Sequence, residues 1–129
     1  APIEDVFSRV GDHEGLTAWT GLGQFKLIQL GEIDAGGRGA VRSVSTPLGE
    51  IHEQITEWEP DRGYRYRIIQ GSPFVGYWGQ VELTAEGDGT RVDWTVRFRS
   101  KVPGLGGVLS HVVRSKLEHA LTNLVKIFS

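Results

Sequence analysis

Residues 80–128 read QVELTAEGDGTRVDWTVRFRSKVPGLGGVLSHVVRSKLEHALTNLVKIF, and two different periods meet in them. Val92, Trp94, Val96 and Phe98 alternate with Arg91, Asp93, Thr95, Arg97 and Arg99, which is the pattern of a strand with one buried and one wet face. Val81, Leu83 and Ala85 alternate in the same way with Gln80, Glu82 and Thr84, and Gly87-Asp88-Gly89 between the two runs is a hairpin signal. Beyond Pro103-Gly104 the period lengthens. Leu105, Leu109, Val113, Leu117, Leu121, Leu124 and Phe128 recur every three or four residues, with Lys116, Glu118 and Lys126 off that stripe. This predicts one long amphipathic helix from about residue 105 to 128, ~36 Å at ~1.5 Å per residue. Gly104-Leu105-Gly106-Gly107 reads as the joint before it, since it lacks the Lys and Ser or Thr of a phosphate loop.

Working outward, Tyr64, Tyr66 and Ile68 alternate with Arg65 and Arg67 in a strand entered through the turn Glu59-Pro60-Asp61-Arg62-Gly63. Less regular strands are expected over 24–33, 38–45 and 49–58, separated by turns at Asp34-Ala35-Gly36-Gly37 and Pro47-Leu48-Gly49. Pro2, Glu4 and Asp5 open a short helix that Gly11 ends. Asp12 is placed to cap a second, running to about Trp19. Six antiparallel strands leave one apolar face, of which a single helix covers a band ~10 Å wide, so the sheet must curl around the helix. The 18 glycines, about twice the usual ~7%, permit such bending. The expectation is therefore a single α+β domain over residues 1–129: a curved antiparallel sheet wrapped around a long C-terminal helix, with two short N-terminal helices. Space left between sheet and helix is a candidate ligand cavity.

The composition excludes several function classes. With 129 residues and no cysteine, the chain has no thiolate chemistry and needs no disulfide to hold a core. Fourteen Lys and Arg against 16 Asp and Glu give a net charge of -2, which argues against nucleic acid or an anionic membrane as partner. No apolar run approaches the ~20 residues of a membrane span, and a soluble cytoplasmic protein is expected. His13, His52, His111 and His119 are scattered without metal-site spacing, and no nucleophile elbow is present, so neither a metal nor a cofactor is expected.

Several stretches together resemble the SRPBCC superfamily (START, polyketide cyclase and Bet v 1-like helix-grip proteins), and most of all its bacterial polyketide cyclase/dehydrase-like members. They are Ala1–Phe7, Asp12-His13-Glu14, Trp19, Gly37–Arg42, Glu53–Pro60, Tyr64-Arg65-Tyr66 and Gly89–Trp94, and they span nearly the whole chain. The resemblance implies a helix-grip fold with a hydrophobic cavity, but no one reaction, because the superfamily holds enzymes, lipid carriers, receptors and chaperone-like proteins. Its members place a strand just before the Ala-Pro of their first helix. Here that strand would precede Ala1, so the sheet edge it covers is expected to be bare or covered otherwise.

Arg42 and Glu53 lie on consecutive strands, and counting outward from the Pro47-Leu48-Gly49 turn puts them opposite each other. Facing inward, Arg42 would hold a carbonyl or enolate and Glu53 would move a proton. A cross-strand Arg–Glu pair is more often a structural salt bridge, and both readings stand. Tyr66 and Trp94 fall on the inner face by the period-2 pattern, as core or as cavity wall. Tyr77 and Trp78 divide between the same readings, and Trp58 reads as a plug at a strand end. Tyr66, Tyr77, Trp94, Val113, Leu117 and His111 are the candidate ligand contacts. Arg65, Arg67, Arg91, Arg97 and Arg99 take the opposite phase and are expected on a solvated, salt-bridged outer face.

Binding of a small hydrophobic molecule is the leading reading, a polyketide cyclase or dehydratase the alternative, and a chaperone-partner module a third. An ionisable pair within the cavity would favour the enzyme, and a large apolar patch outside it would favour the module. The partners expected are the small molecule and a second copy of the chain through an uncovered sheet edge, without nucleic acid or membrane insertion.

Overall fold

The computed structural model describes residues 1–47, 49–71, 74–100 and 106–129. Two short helices, α1 (Ile3–Val10) and α2 (Leu16–Trp19), precede six strands and a final helix. The strands are β1 (Gln24–Gln29), β2 (Val41–Thr46), β3 (Gly49–Glu59), β4 (Gly63–Gln70), β5 (Phe74–Glu86) and β6 (Gly89–Ser100), and the helix is α3 (Gly106–Ile127). The strands form one antiparallel sheet in sequence order, with β1 and β6 at its edges. Leu48, in the expected β2–β3 turn, and the expected joint at Gly104-Leu105 lie outside the described residues.

The elements arise where the local signals put them. Pro2 precedes the first helical residue and Gly11 caps α1 with its N–H on the Phe7 carbonyl, while Val6, Phe7 and Val10 turn inward. Asp12 Oδ1 accepts a hydrogen bond from the Gly15 N–H, so the Asp closes a turn ahead of α2 rather than capping it. β1 is shorter than its sequence suggests, and β2 starts later. Residues 30–40 instead fold on themselves through Gly31 N–H to Ala35 O and Glu32 N–H to Arg38 O. Gly39 and Ala40 then exchange backbone bonds with Ile55.

The inner face of the sheet carries Phe25, Val44, Ile55, Tyr64, Tyr66, Val81 and Leu83, packed against α1, α2 and the C-terminal half of α3 through Ala120 and Leu124. Tyr66 stands opposite Gly79, and a Cβ at Gly79 would fall within the Tyr66 ring, so the ring lies flat against bare backbone. Tyr77 and Trp78 are adjacent in β5 and so face opposite sides, Tyr77 in phase with the inward Val81 and Leu83. Tyr77 turns inward and stacks on Phe98, while Trp78 turns outward under the Arg65 guanidinium, which excludes Trp78 as a cavity wall.

The outer face departs from the expected salt-bridged lattice. Arg91 pairs with Asp93, but Arg65 donates to Gln80 and Arg67 to Gln54, both neutral amides. Register accounts for Arg67, which stands opposite Gln54 and Trp78; Arg65 stands between Glu57 on β3 and Gln80 on β5, and the Gln80 amide accepts from it while its guanidinium lies over Trp78. At the β1 edge Ile28 is exposed, as are Leu30 and Ile33 beyond it. At the β6 edge the Thr90 hydroxyl donates to the Ala1 carbonyl, which places the start of the chain there.

The contact of Tyr66 with Gly79 gives a direct test. Gly79→Ala forces the ring away from the sheet and lowers stability by about 1–3 kcal/mol in urea denaturation. Gly107→Ala, in α3 with open space around its Cα, leaves stability unchanged or raises it. Equal effects from the two would contradict the packing described.

Candidate functional site

Arg42 and Glu53 are cross-strand partners on β2 and β3, with Arg42 Nε donating to Glu53 Oε1 at 2.8 Å. Their side chains are 1% and 7% exposed, so the pair lies within the grip of the sheet. A buried guanidinium must find acceptors for its donors, and its neighbours supply most of them. Arg42 Nη1 reaches His13 Nδ1 at 3.1 Å and the Tyr64 hydroxyl at 3.2 Å. The Tyr64 hydroxyl in turn donates to the Val10 carbonyl at the end of α1. Phe25, Tyr64 and Tyr66 surround the guanidinium carbon at 5.3, 5.5 and 4.6 Å from their ring centroids.

These partners determine the state of His13. Its Nε2 lies 2.7 Å from the Gly36 carbonyl, which only accepts, and its Nδ1 faces Arg42, which only donates. The ring is therefore neutral, protonated on Nε2. Burial first, and the Arg42 charge second, hold its pKa down at about 4, against the opposing pull of Gly36 and Asp12. Burial also works against the charged form of Arg42, but Tyr64, Glu53 and Tyr66 outweigh it and raise its pKa, so the guanidinium stays charged.

Between this cluster and α3 lies a cavity of about 130 Å³. Phe25, Val44 and Ile51 line it from the sheet, Val113 and Leu117 from α3. Tyr66, Tyr77 and Trp94 form aromatic walls, with Trp94 Nε1 donating to the Tyr66 hydroxyl at 2.9 Å. Burial raises the pKa of both tyrosines, so both are neutral phenols. Arg42 and Glu53 form the polar wall, and Lys116, exposed on α3, reaches the rim.

The structure thus brings together seven of the eight residues singled out from sequence. His111 is the exception: it is exposed and does not line the cavity. It stands two positions from Val113, ~200° around the helix, so the turn that points Val113 inward points His111 away. His13 was not foreseen as part of the site. Its signal, the Asp12-His13-Glu14 stretch, carried no spacing relation to Arg42, which is 29 positions away.

Among the described residues no group of His, Asp and Glu is disposed to hold a metal ion, and no helix is long and apolar enough to cross a membrane. Residues 1–128 match the family described as polyketide cyclase / dehydrase and lipid transport. Among curated proteins nothing matches the sequence. A START superfamily protein from Mycobacterium smegmatis has a TM-score of 0.77 at 17% identity, over 100% of this chain and 92% of its own. A protein from Nitrosospira multiformis gives 0.75 at 22% identity, over 100% and 90%. DynU16, a protein of the dynemicin biosynthetic locus, gives 0.64 at 17%, over 99% of this chain and 43% of its own. At these identities the likenesses show a shared fold.

The neutral burial of His13 makes stability depend on pH. Its pKa is about 4 in the folded protein against 6.5 unfolded, so the unfolded chain takes up the proton first. The stabilisation is complete above about pH 6.5 and is lost as the pH falls toward 4, by roughly 3 kcal/mol in all. Urea unfolding at pH 7.5 and 4 will show this loss in the wild type and a smaller one in His13→Gln. Parallel pH profiles would contradict the buried neutral imidazole.

Proposed function

We propose that this chain, which belongs to the polyketide cyclase / dehydrase and lipid transport family, binds a small, largely apolar molecule with one polar end in the cavity between the sheet and α3. The observation that carries the reading is the wall itself: aromatic and aliphatic on most sides, with the buried Arg42–Glu53 pair at one. Apolar surface provides affinity without direction, and a few fixed polar groups orient the bound molecule. At about 130 Å³ the space is below the ~300–1,000 Å³ of sites for drug-sized ligands, and close to the ~150 Å³ of a cavity that accepts benzene. One aromatic ring, or the end of a longer molecule, matches it.

A longer ligand requires room beside α3. A groove of about 390 Å³ lies between β6 and α3, and Trp94, Val113 and Leu117 are walls of both it and the cavity. Val108 and Val112, in the first half of α3, are 61% and 44% exposed, so few contacts hold that half against the sheet. An outward shift of those walls would join the two spaces.

One observation favours a second reading, proton transfer in the manner of a cyclase or dehydratase. The Glu53 carboxylate borders the cavity with only Oε1 engaged by Arg42, so Oε2 is placed to take a proton from a carbon acid while the guanidinium stabilises the enolate oxygen. In deuterated water the protein would then accelerate α-proton exchange of a bound aryl 1,3-diketone, and Glu53→Gln would abolish the acceleration while leaving affinity for the diketone in place. Exchange at the uncatalysed rate sets this reading aside and leaves binding.

The binding reading is tested by filling the cavity. Indole titrated into the wild-type protein shifts the Trp94 Nε1–H resonance saturably. Val113→Phe, which fills the space from the helix side, weakens binding by about tenfold or more while thermal unfolding stays cooperative. Wild-type protein that shows no saturable shift, or a variant that binds equally well, would contradict it.

A further inference from the structure

We infer that the cavity selects neutral ligands bearing an oxygen acceptor over carboxylates, and that Glu53 is the residue that sets this selection. The inference rests on the cavity being a ligand site. A guanidinium has five N–H donors. In Arg42 one on Nε goes to Glu53 Oε1, and the two on Nη1 go to His13 and Tyr64. The two on Nη2 have no hydrogen-bond acceptor among the described residues, although the side chain is 1% exposed and lines the cavity. Nη2 is not enclosed but opens onto the cavity, where a ligand oxygen can accept from it in place of solvent.

Charge then decides what kind of oxygen. Glu53 balances Arg42, His13 is neutral by its hydrogen bonds, and Tyr66 and Tyr77 are phenols, so the buried wall sums to zero. A carboxylate entering the site would be a third buried charge without a partner, in surroundings where an unpaired ion costs several kcal/mol. A carbonyl or phenol oxygen brings no such cost. Glu53 Oε2, which also has no donor among the described residues, accepts from an N–H or O–H next to that oxygen. The class is a planar, uncharged molecule with a carbonyl or hydroxyl at its edge and, beside it, a donor. Lys116 carries the other positive charge at the site, but it is exposed at the rim, where water and salt screen it.

Benzamide and benzoate have the same shape and differ in charge, which makes them the probes. Titrated at pH 7.5 and followed by amide chemical shifts, the wild-type protein binds benzamide at least about tenfold tighter than benzoate. Glu53→Gln leaves Arg42 without its counter-ion: benzoate gains about tenfold or more and overtakes benzamide, whose affinity changes less. Lys116→Gln, which removes the screened charge at the rim, changes the ratio less than Glu53→Gln does. Benzoate binding the wild type as tightly as benzamide overturns the inference, and that comparison stands even if Glu53→Gln does not fold. A ratio that moves in Lys116→Gln and not in Glu53→Gln overturns it as well. Indole separates the two levels: if indole binds without any amide preference, the selection fails and the site stands; if indole, benzamide and benzoate all fail to bind, the site reading fails and the inference with it.

Discussion

A guanidinium that is 1% exposed cannot be left to itself, and much of this molecule is arranged around that constraint. Arg42 draws Glu53 from the next strand, His13 from the linker between the first two helices, and the Tyr64 hydroxyl from β4. Each of these is tied in turn to something else. His13 holds the Gly36 carbonyl of the 30–40 segment, Tyr64 holds the end of α1 at Val10, and Tyr64 and Trp58 pack with His13 and Phe7. A network of this kind is favourable when nearly every member is satisfied and costly when one is removed. Among the described residues the two donors on Nη2 have no acceptor, and they are at the cavity.

Much of this was legible in the sequence, for reasons that differ by residue. The alternation over 90–99 and the helical stripe over 113–128 are dictated by burial on one side, so strand phase and helix face followed directly. Arg42 and Glu53 could be paired because a tight hairpin fixes register by counting alone, and their cross-strand register follows that count. The split of Tyr77 from Trp78 follows from the same alternation, because counting back from the inward Leu83 and Val81 turns Tyr77 in and Trp78 out. The role of His13 could not be read, since it comes from a linker docking on a sheet far along the chain. His111 was drawn in by its residue type, although its position on the helix faces it away from the stripe that the cavity uses.

The outer face shows the limit of charge counting in the other direction. A net charge of -2 suggested arginines paired with acids across the sheet. Arg67 instead bonds the Gln54 amide opposite it, and Arg65, between Glu57 and Gln80, bonds the amide and covers Trp78. The inner face shows the reverse: two opposite charges placed within hydrogen-bond distance, where their sum matters more than either. Within a family whose description joins cyclases, dehydrases and lipid transport, the proposed reading has that sum select the ligand, and has Glu53 Oε2, without a donor among the described residues, decide whether a proton moves.

The most direct test of this account is a crystal structure of the protein with benzamide bound. The account places the ring among Phe25, Tyr66, Tyr77 and Trp94, with the amide oxygen within hydrogen-bond distance of Arg42 Nη2 and the amide nitrogen toward Glu53 Oε2. Benzamide seated only in the groove between β6 and α3, or in the cavity with its oxygen turned away from Arg42, would contradict it.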